Sequence, residues 1–281
     1  MSSHEESRSV ADVGVGGTPD RPLRIERDGR VLILTLHRPD KLNALTPELH
    51  EQLHQAVVAA SNDADIGAIV LTGAGRAFCS GGDMGGRKDS ASAAPTLEQR
   101  AEELRRHGET ARLLHDMPKP TLAMVNGVAA GAGLALALAC DLRIASRDSV
   151  LTTSYVKVAM SGDLGCSYFL TQLVGSAKAR ELMFLSERID ASEAYRIGLV
   201  SRIVDADSLR AATLQLAQQL AQGPALALRY IKRNLTCAET GSLAEVLETE
   251  AFGMGRCGRT QDAKEAALAF REKRPPIFKG C

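Results

Sequence analysis

Two glycine-rich segments hold the residues of this sequence best suited to chemistry. The first is GAGRAFCSGGDM, residues 73–84, and the second is NGVAAGAGLALALACD, residues 126–141. Each follows a short apolar run, the pattern of a strand ending in a loop. The second runs straight into an Ala/Leu stretch of helical character. Backbone N–H groups at a helix N-terminus are unpaired, and the helix dipole favours negative charge there. Two such donors converging on one oxygen would form an oxyanion hole. Small residues suit this task because a side chain larger than methyl would keep a thioester oxygen from the backbone. Either loop alone reads equally well as a tight turn. The two together, each behind a strand, favour a site.

Other glycine-loop chemistries do not fit. Residues 73–78 read GAGRAF and residues 131–136 read GAGLAL, so both lack the third glycine of a dinucleotide fingerprint. No GK[ST] follows either loop, and no GxSxG elbow occurs. Cys79 and Ser80 flank the first glycine pair, but no histidine is near in sequence, so neither is read as a nucleophile.

The surrounding elements must position the loops. Residues 23–28 and 31–37 read as strands joined at Asp28-Gly29. Thr46 suits a helix N-cap and Pro47 its first turn, with Leu49, Leu53 and Val57 on one face. Residues 67–72, 121–125 and 141–146 read as strands, and 97–116 as a charged amphipathic helix. Strand-then-helix alternation argues for an α/β fold with parallel pairing. After residue 206 four helical segments follow: 206–221, 224–238, 242–255 and 260–272. The division drawn from this is a disordered tail (1–20), a core (21–205) and a helical C-terminal subdomain (206–281).

The 34 basic and 34 acidic residues balance, so no global field favours nucleic acid or an acidic membrane surface. Small-molecule work is the better expectation. No apolar run reaches the ~18 residues of a spanning helix, and residues 1–20 lack a signal-peptide apolar region. Cys79, Cys140, Cys166, Cys237, Cys257 and Cys281 form no CxxC pair and no zinc-like spacing. They read as reduced thiols of a cytoplasmic protein, with no metal site.

RPDKLNAL (38–45), GRAFCSGGDM (75–84), VNGVAAGAGLALALACD (125–141) and ASEAYRIGLVSRIV (191–204) resemble the enoyl-CoA hydratase/isomerase family, the crotonases. The resemblance spans residues 22–280, including the tail REKRPPIFKG (271–280). It implies a crotonase spiral of repeated ββα units with a C-terminal helical region, and a homotrimer or hexamer built through the C-terminal helices. It implies an acyl-CoA substrate, no separate cofactor, and a place in fatty acid or lipid metabolism. By position, Gly82 matches the first oxyanion donor and Ala132 the second, where alanine still donates through its backbone. Arg76, Ala77, Phe78 and Ser80 match the segment beside the CoA adenine. Lys41, Arg76 and Lys279 are candidates for the CoA phosphates, although surface cations more often have no such role.

The chain departs from the hydratases of the family at two positions. They carry two glutamates where this sequence has Ala135 and Tyr155 by ungapped alignment. A methyl group takes no proton, and a phenol titrates near ~10, so hydration by the usual route is not expected. Asp163 matches an aspartate used in several branches, as base of some isomerases and as nucleophile of the 4-chlorobenzoyl-CoA dehalogenases. Facing an apolar acyl pocket, it would lose hydration and rise toward a useful base. Tyr155 joins Asp163, Gly82 and Ala132 as a candidate catalytic residue; the plainer reading of Asp163 is a helix N-cap, and of Tyr155 a wall of the pocket rather than an acid. The dehalogenase branch places an indole where Tyr155 stands, and this chain has no Trp. It also uses a helix histidine where this chain has Gly108; His107 beside it reads as a solvated face. The expectation is isomerase-type proton transfer through an enolate. A hydrolase or dehalogenase-like enzyme with Asp163 as nucleophile, and a non-catalytic acyl-CoA binder, stay open.

Overall fold

A computed structural model describes residues 21–85 and 95–280. The tail expected over residues 1–20 and Cys281 lie outside the described residues. β1 (Leu23–Asp28) and β2 (Val31–Leu36) pair antiparallel. They turn through Gly29 at φ +58°, a left-handed conformation that glycine adopts without a Cβ penalty. α1 (Pro47–Asn62) starts where Thr46 accepts a hydrogen bond from the Leu49 N–H.

Three ββα units follow. They are β3 (Ala68–Gly73), β4 (Ala77–Cys79) and α2 (Leu97–Asp116); β5 (Thr121–Val125), β6 (Val128–Ala130) and α3 (Ala132–Ala139); and β7 (Leu142–Ser146), β8 (Val150–Thr152) and α4 (Cys166–Leu185). In each unit the first strand joins one sheet and the second joins another. β9 (Ile189–Asp190), α5 (Ala191–Arg196) and β10 (Arg202–Val204) close the series. The large sheet has the order β1-β2-β3-β5-β7-β10, and the small one β4-β6-β8-β9. The sequence reading left β4, β6 and β8 inside loops. Each is only three residues long, too short to show alternation.

The large sheet is covered on both faces, so its central strands are largely apolar and successive side chains enter alternate cores. Leu34, Leu36, Ile69, Leu71, Ala123 and Val125 face the core shared with α1, α2 and α3. Val31, Ile33, Val70, Leu122, Met124 and Ile144 face the other way. That second face is covered by α6 (Leu209–Ala221) through Leu209, Ala217 and Ala221. A Cβ on Gly67 would meet the Ala221 carbonyl at 2.6 Å, so sheet and helix touch at the backbone. The first helix after residue 206 thus packs as part of the sheet's own core. α7 (Ala225–Thr240), α8 (Leu243–Cys257) and α9 (Gln261–Glu272) follow it. They expose Ile231, Leu235, Leu247, Phe252 and Phe270. No helix among the described residues is long and apolar enough to cross a membrane.

Candidate active site

The two glycine loops meet backbone to backbone. A Cβ on Gly133 would stand 2.3 Å from the Cys79 carbonyl oxygen and 2.6 Å from its Cβ. A Cβ on Gly81 would stand 3.1 Å from the Ala130 carbonyl and 3.7 Å from the Ala132 nitrogen. Gly81 (φ +100°) and Gly131 (φ +52°) also need conformations that favour glycine. A Cβ on Gly127 would likewise meet the Arg76 carbonyl at 2.1 Å, so Gly81, Gly127 and Gly133 serve the contact between loops. Gly82 differs: among the described residues a Cβ there would meet nothing within 4 Å.

Ala132 opens α3, where the first N–H groups have no partner inside the helix. Gly82 bridges Leu45, whose N–H bonds the Gly81 carbonyl at 2.8 Å and whose carbonyl accepts from Asp83 N at 2.9 Å. Neither the Gly82 nor the Ala132 N–H meets a hydrogen-bond acceptor among the described residues. Gly81 is in backbone contact with the loop that carries Ala132, and this brings the two expected donors to one place.

Two asparagines missed by the sequence reading hold the first loop. Buried Asn43 donates to the carbonyls of Ala74 at 2.9 Å and Ala77 at 2.8 Å, and accepts from Arg38 N at 2.9 Å. Asn126 donates to the carbonyls of Gly75 at 2.8 Å and Ala77 at 3.1 Å. Their only sequence signal was position, one in KLNAL and one heading the second loop. Asp83 serves the loop as well, pairing with Arg38 at 2.8 Å and accepting from Gly85 N at 2.9 Å.

Ala77 and Phe78 are buried, and their carbonyls are taken up by Asn43. Arg76 and Lys41 have exposed side chains. Ser80 sits beside Lys41, its N–H on the Leu42 carbonyl at 3.0 Å and its hydroxyl 3.5 Å from the Lys41 carbonyl. Lys279 is tied through its N–H to Asp262 at 2.7 Å, in the chain that returns along α9.

Tyr155 follows β8 and is 7% exposed. Its hydroxyl donates to Asp163 Oδ1 at 2.7 Å. Asp163 is half-buried, and burial pushes its carboxyl above the ordinary carboxylate range. The Tyr155 bond and the His107 and Arg100 charges pull it partly back. Burial also lifts the Tyr155 phenol, so it stays a donor. The N-cap reading of Asp163 is corrected. The cap of α4 is Gly165 in a left-handed conformation, and only the Asp163 carbonyl bonds Cys166 N, at 3.0 Å. The Asp163 side chain is left to Tyr155.

The solvated-face reading of His107 is corrected too. Its ring stacks on His50 of α1 with centroids 4.0 Å apart and planes 6° apart. Burial, then the His107 charge, lowers buried His50 to about 3. Burial pushes the thiols of Cys79 and Cys166 up to about 12, which keeps them protonated and weak as nucleophiles. No group of three or more potential metal ligands comes together among the described residues.

Strands of each unit split between two sheets, with glycine loops touching where the second strands end, form the crotonase fold. The model of the enoyl-CoA hydratase/isomerase family matches residues 26–281. The 1,2-epoxyphenylacetyl-CoA isomerase of Escherichia coli (strain K12) is 37% identical over 251 residues, covering 89% of this chain and 95% of that protein. The short-chain-enoyl-CoA hydratase of Clostridium acetobutylicum is 33% identical, covering 89% and 94%. The crystal structure of a putative enoyl-CoA hydratase from Streptomyces coelicolor A3(2) superposes with a TM-score of 0.88 at 38% identity, covering 96% of this chain and 98% of that one. The chain belongs to the enoyl-CoA hydratase/isomerase family and is an enzyme of CoA thioesters.

Proposed function

We propose that this enzyme moves a proton within an acyl-CoA thioester, an isomerase-type reaction, with Asp163 as the base. The observation that carries the reading is the Asp163 carboxyl, raised by burial and bonded on one oxygen by Tyr155. Abstraction breaks a C–H bond beside the thioester, and the electron pair moves onto the thioester oxygen. The N–H groups of Gly82 and Ala132 receive the resulting enolate. Return of the proton to another carbon completes the isomerisation.

Ala135 and Tyr155 stand where the hydratases of the resemblance have glutamates, which favours isomerisation over hydration. Relatives carry names of both kinds, so membership alone does not choose. The Escherichia coli relative, named an isomerase of 1,2-epoxyphenylacetyl-CoA, agrees with the proposed direction.

CoA is the substrate's carrier, and the chemistry calls for no further cofactor. Arg76, Lys41 and Ser80, with the backbone of Ala77 and Phe78, form the proposed CoA rim. With the Ala77 and Phe78 carbonyls held inside the fold, Arg76 and Lys41 are the groups open to a phosphate. The exposed apolar residues of α7, α8 and α9 support a homotrimer or hexamer, assembled through the C-terminal helices.

The test is proton exchange in deuterated water with saturated, 2-enoyl and 3-enoyl-CoA esters, read by mass spectrometry. Deuterium uptake or double-bond migration, abolished in Asp163→Asn with ester binding kept, is the expected result. A trapped covalent acyl or aryl intermediate would instead make Asp163 a nucleophile. Binding without exchange would make the chain a non-catalytic binder.

A further inference from the structure

Tyr155 touches both halves of the proposed machinery. Its Cε1 lies 3.8 Å from where a Cβ on Gly131 would stand, so the ring edge abuts the residue just before Ala132. Its hydroxyl reaches the other way, to Asp163 Oδ1 at 2.7 Å. The main chain around the ring is fixed at several points. The Tyr155 carbonyl accepts from Val158 N at 3.1 Å and Met160 N at 2.9 Å. Two residues upstream, Thr153 bonds the Leu182 carbonyl at 2.8 Å and Ser186 Oγ at 2.7 Å, and Gly131 N donates to the Thr152 carbonyl at 3.1 Å. A rigid ring held by its own backbone thus spans from the second glycine loop to the carboxylate.

We infer that Tyr155 is a positioning residue: it sets the distance between the oxyanion donor and Asp163, and reserves Asp163 Oδ2 as the one oxygen that takes up and returns the proton. This deepens the proposed reaction and rests on Asp163 being its base. An oxygen that already accepts a donated hydrogen bond is the less basic of the two. With Oδ1 held, the carboxyl is also kept from turning about its Cβ–Cγ bond. The proton leaves the substrate carbon for Oδ2, its C–H electron pair remains in the enolate, and the same proton goes back to a second carbon on the same face. The balance needs no water and no second acid.

Several groups are coupled electrostatically to Asp163: Tyr155, which also bonds it, Cys166 at the start of α4, Cys79 in β4, and His107 and Arg100 on α2. Of these, the Tyr155 hydroxyl gives the largest pull down on the carboxyl against burial. Removing it while keeping the ring therefore moves the acid limb of the activity profile to higher pH. A role limited to filling space would not move that limb.

The experiment uses the full-length enzyme with a 3-enoyl-CoA ester deuterated at the carbon beside the thioester. Tyr155→Phe should keep KM within about twofold and lower kcat by roughly 10- to 100-fold, the scale of a misplaced reacting group. It should also shift the acid limb upward and lower the fraction of deuterium delivered to the new carbon. An enzyme carrying 3-fluorotyrosine at position 155, a stronger donor of the same shape, should shift the limb the other way. It keeps the test decisive if the Phe variant folds poorly. An unmoved acid limb with unchanged deuterium delivery would overturn the inference, whatever the loss in kcat. Asp163→Asn run in parallel separates the two ideas: turnover surviving there removes the base, whereas its loss beside an indifferent position 155 removes only the strut.

Discussion

Gly133 lies so close to Cys79 that a Cβ would stand 2.3 Å from the Cys79 carbonyl oxygen, and backbone cannot give way there. Gly82, three residues past Cys79, would by contrast place a Cβ within 4 Å of nothing among the described residues. Gly133→Ala is therefore expected to cost stability, on the order of 2–4 kcal/mol, as overpacking of a closed site does. Gly82→Ala should melt within about 1 °C of the parent and yet lose turnover, because its methyl enters the space where the proposed reaction would receive the thioester oxygen. Melting curves and turnover of the two variants check the contrast.

Ala132→Pro removes one N–H without removing a helix-compatible residue. The first helical position accepts proline because its N–H has no partner inside the helix. Turnover should fall by about 10²–10³-fold, as for loss of one oxyanion donor elsewhere, with circular dichroism unchanged. Turnover within tenfold of the parent would show that this N–H receives no charge.

Asp163→Asn should stabilise the protein at neutral pH while silencing it. The folded carboxyl sits above its ordinary range because of burial. Ionising it then costs more in the folded chain than in the unfolded one. Its contribution is fully favourable below the unfolded value and is lost as pH rises through the folded one. The amide has no such term. The variant's melting temperature should exceed the parent's near pH 8 by about 1–3 °C, and the gap should close toward pH 4.

His50 gives the opposite slope. Buried and held at about 3, it stays neutral in the folded chain while the unfolded chain takes up a proton below its ordinary 6.5. Stability is present above pH 6.5 and falls from there toward pH 3, by up to about 1.4 kcal/mol per pH unit from this residue. His50→Phe keeps a ring against His107 and should flatten that fall. Urea midpoints of both proteins at pH 5 and pH 7.5 decide it.

Arg143 is 5% exposed and donates to the carbonyls of Leu199 at 2.7 Å, Cys140 at 2.5 Å and Leu138 at 3.3 Å. Arg143→Met fills the volume but leaves those acceptors bare. The loss should be about 3–5 kcal/mol, since charge-assisted bonds in a buried setting are costly to break. Arg143→Lys should recover only part, lacking the planar fork.

Long, strongly patterned elements were legible in the sequence. The Thr46 cap, the short apolar runs of β2, β3 and β5, and the Leu/Val stripe of α1 all appear where the residues place them. β4, β6 and β8 were not legible, because AFC, VAA and VLT are too short to carry a period and gain strand geometry only from one another. The glycines marked the two loops, but Gly81, Gly127 and Gly133 are small for the other loop rather than for a ligand, and Gly131 for its positive φ. The bond from Tyr155 to Asp163 crosses an irregular turn. Ala159, Gly162 and Leu164 all adopt positive φ there, so no regular spacing could announce the contact. The His50–His107 stack joins two helices 57 positions apart in sequence only through tertiary packing.

Arg143 also ties together stretches of chain that are synthesised far apart. Two of its acceptors, Leu138 and Cys140, are neighbours in sequence, but Leu199 is 56 residues downstream. While the ribosome is still making that stretch, the guanidinium has an incomplete shell and is better left in water. Its full set of acceptors exists only once Leu199 has been made, just ahead of the strand that finishes the large sheet. One buried cation thereby joins the end of α3 to a segment made much later, and its hydrogen-bond shell is complete only when most of the polypeptide has been synthesised.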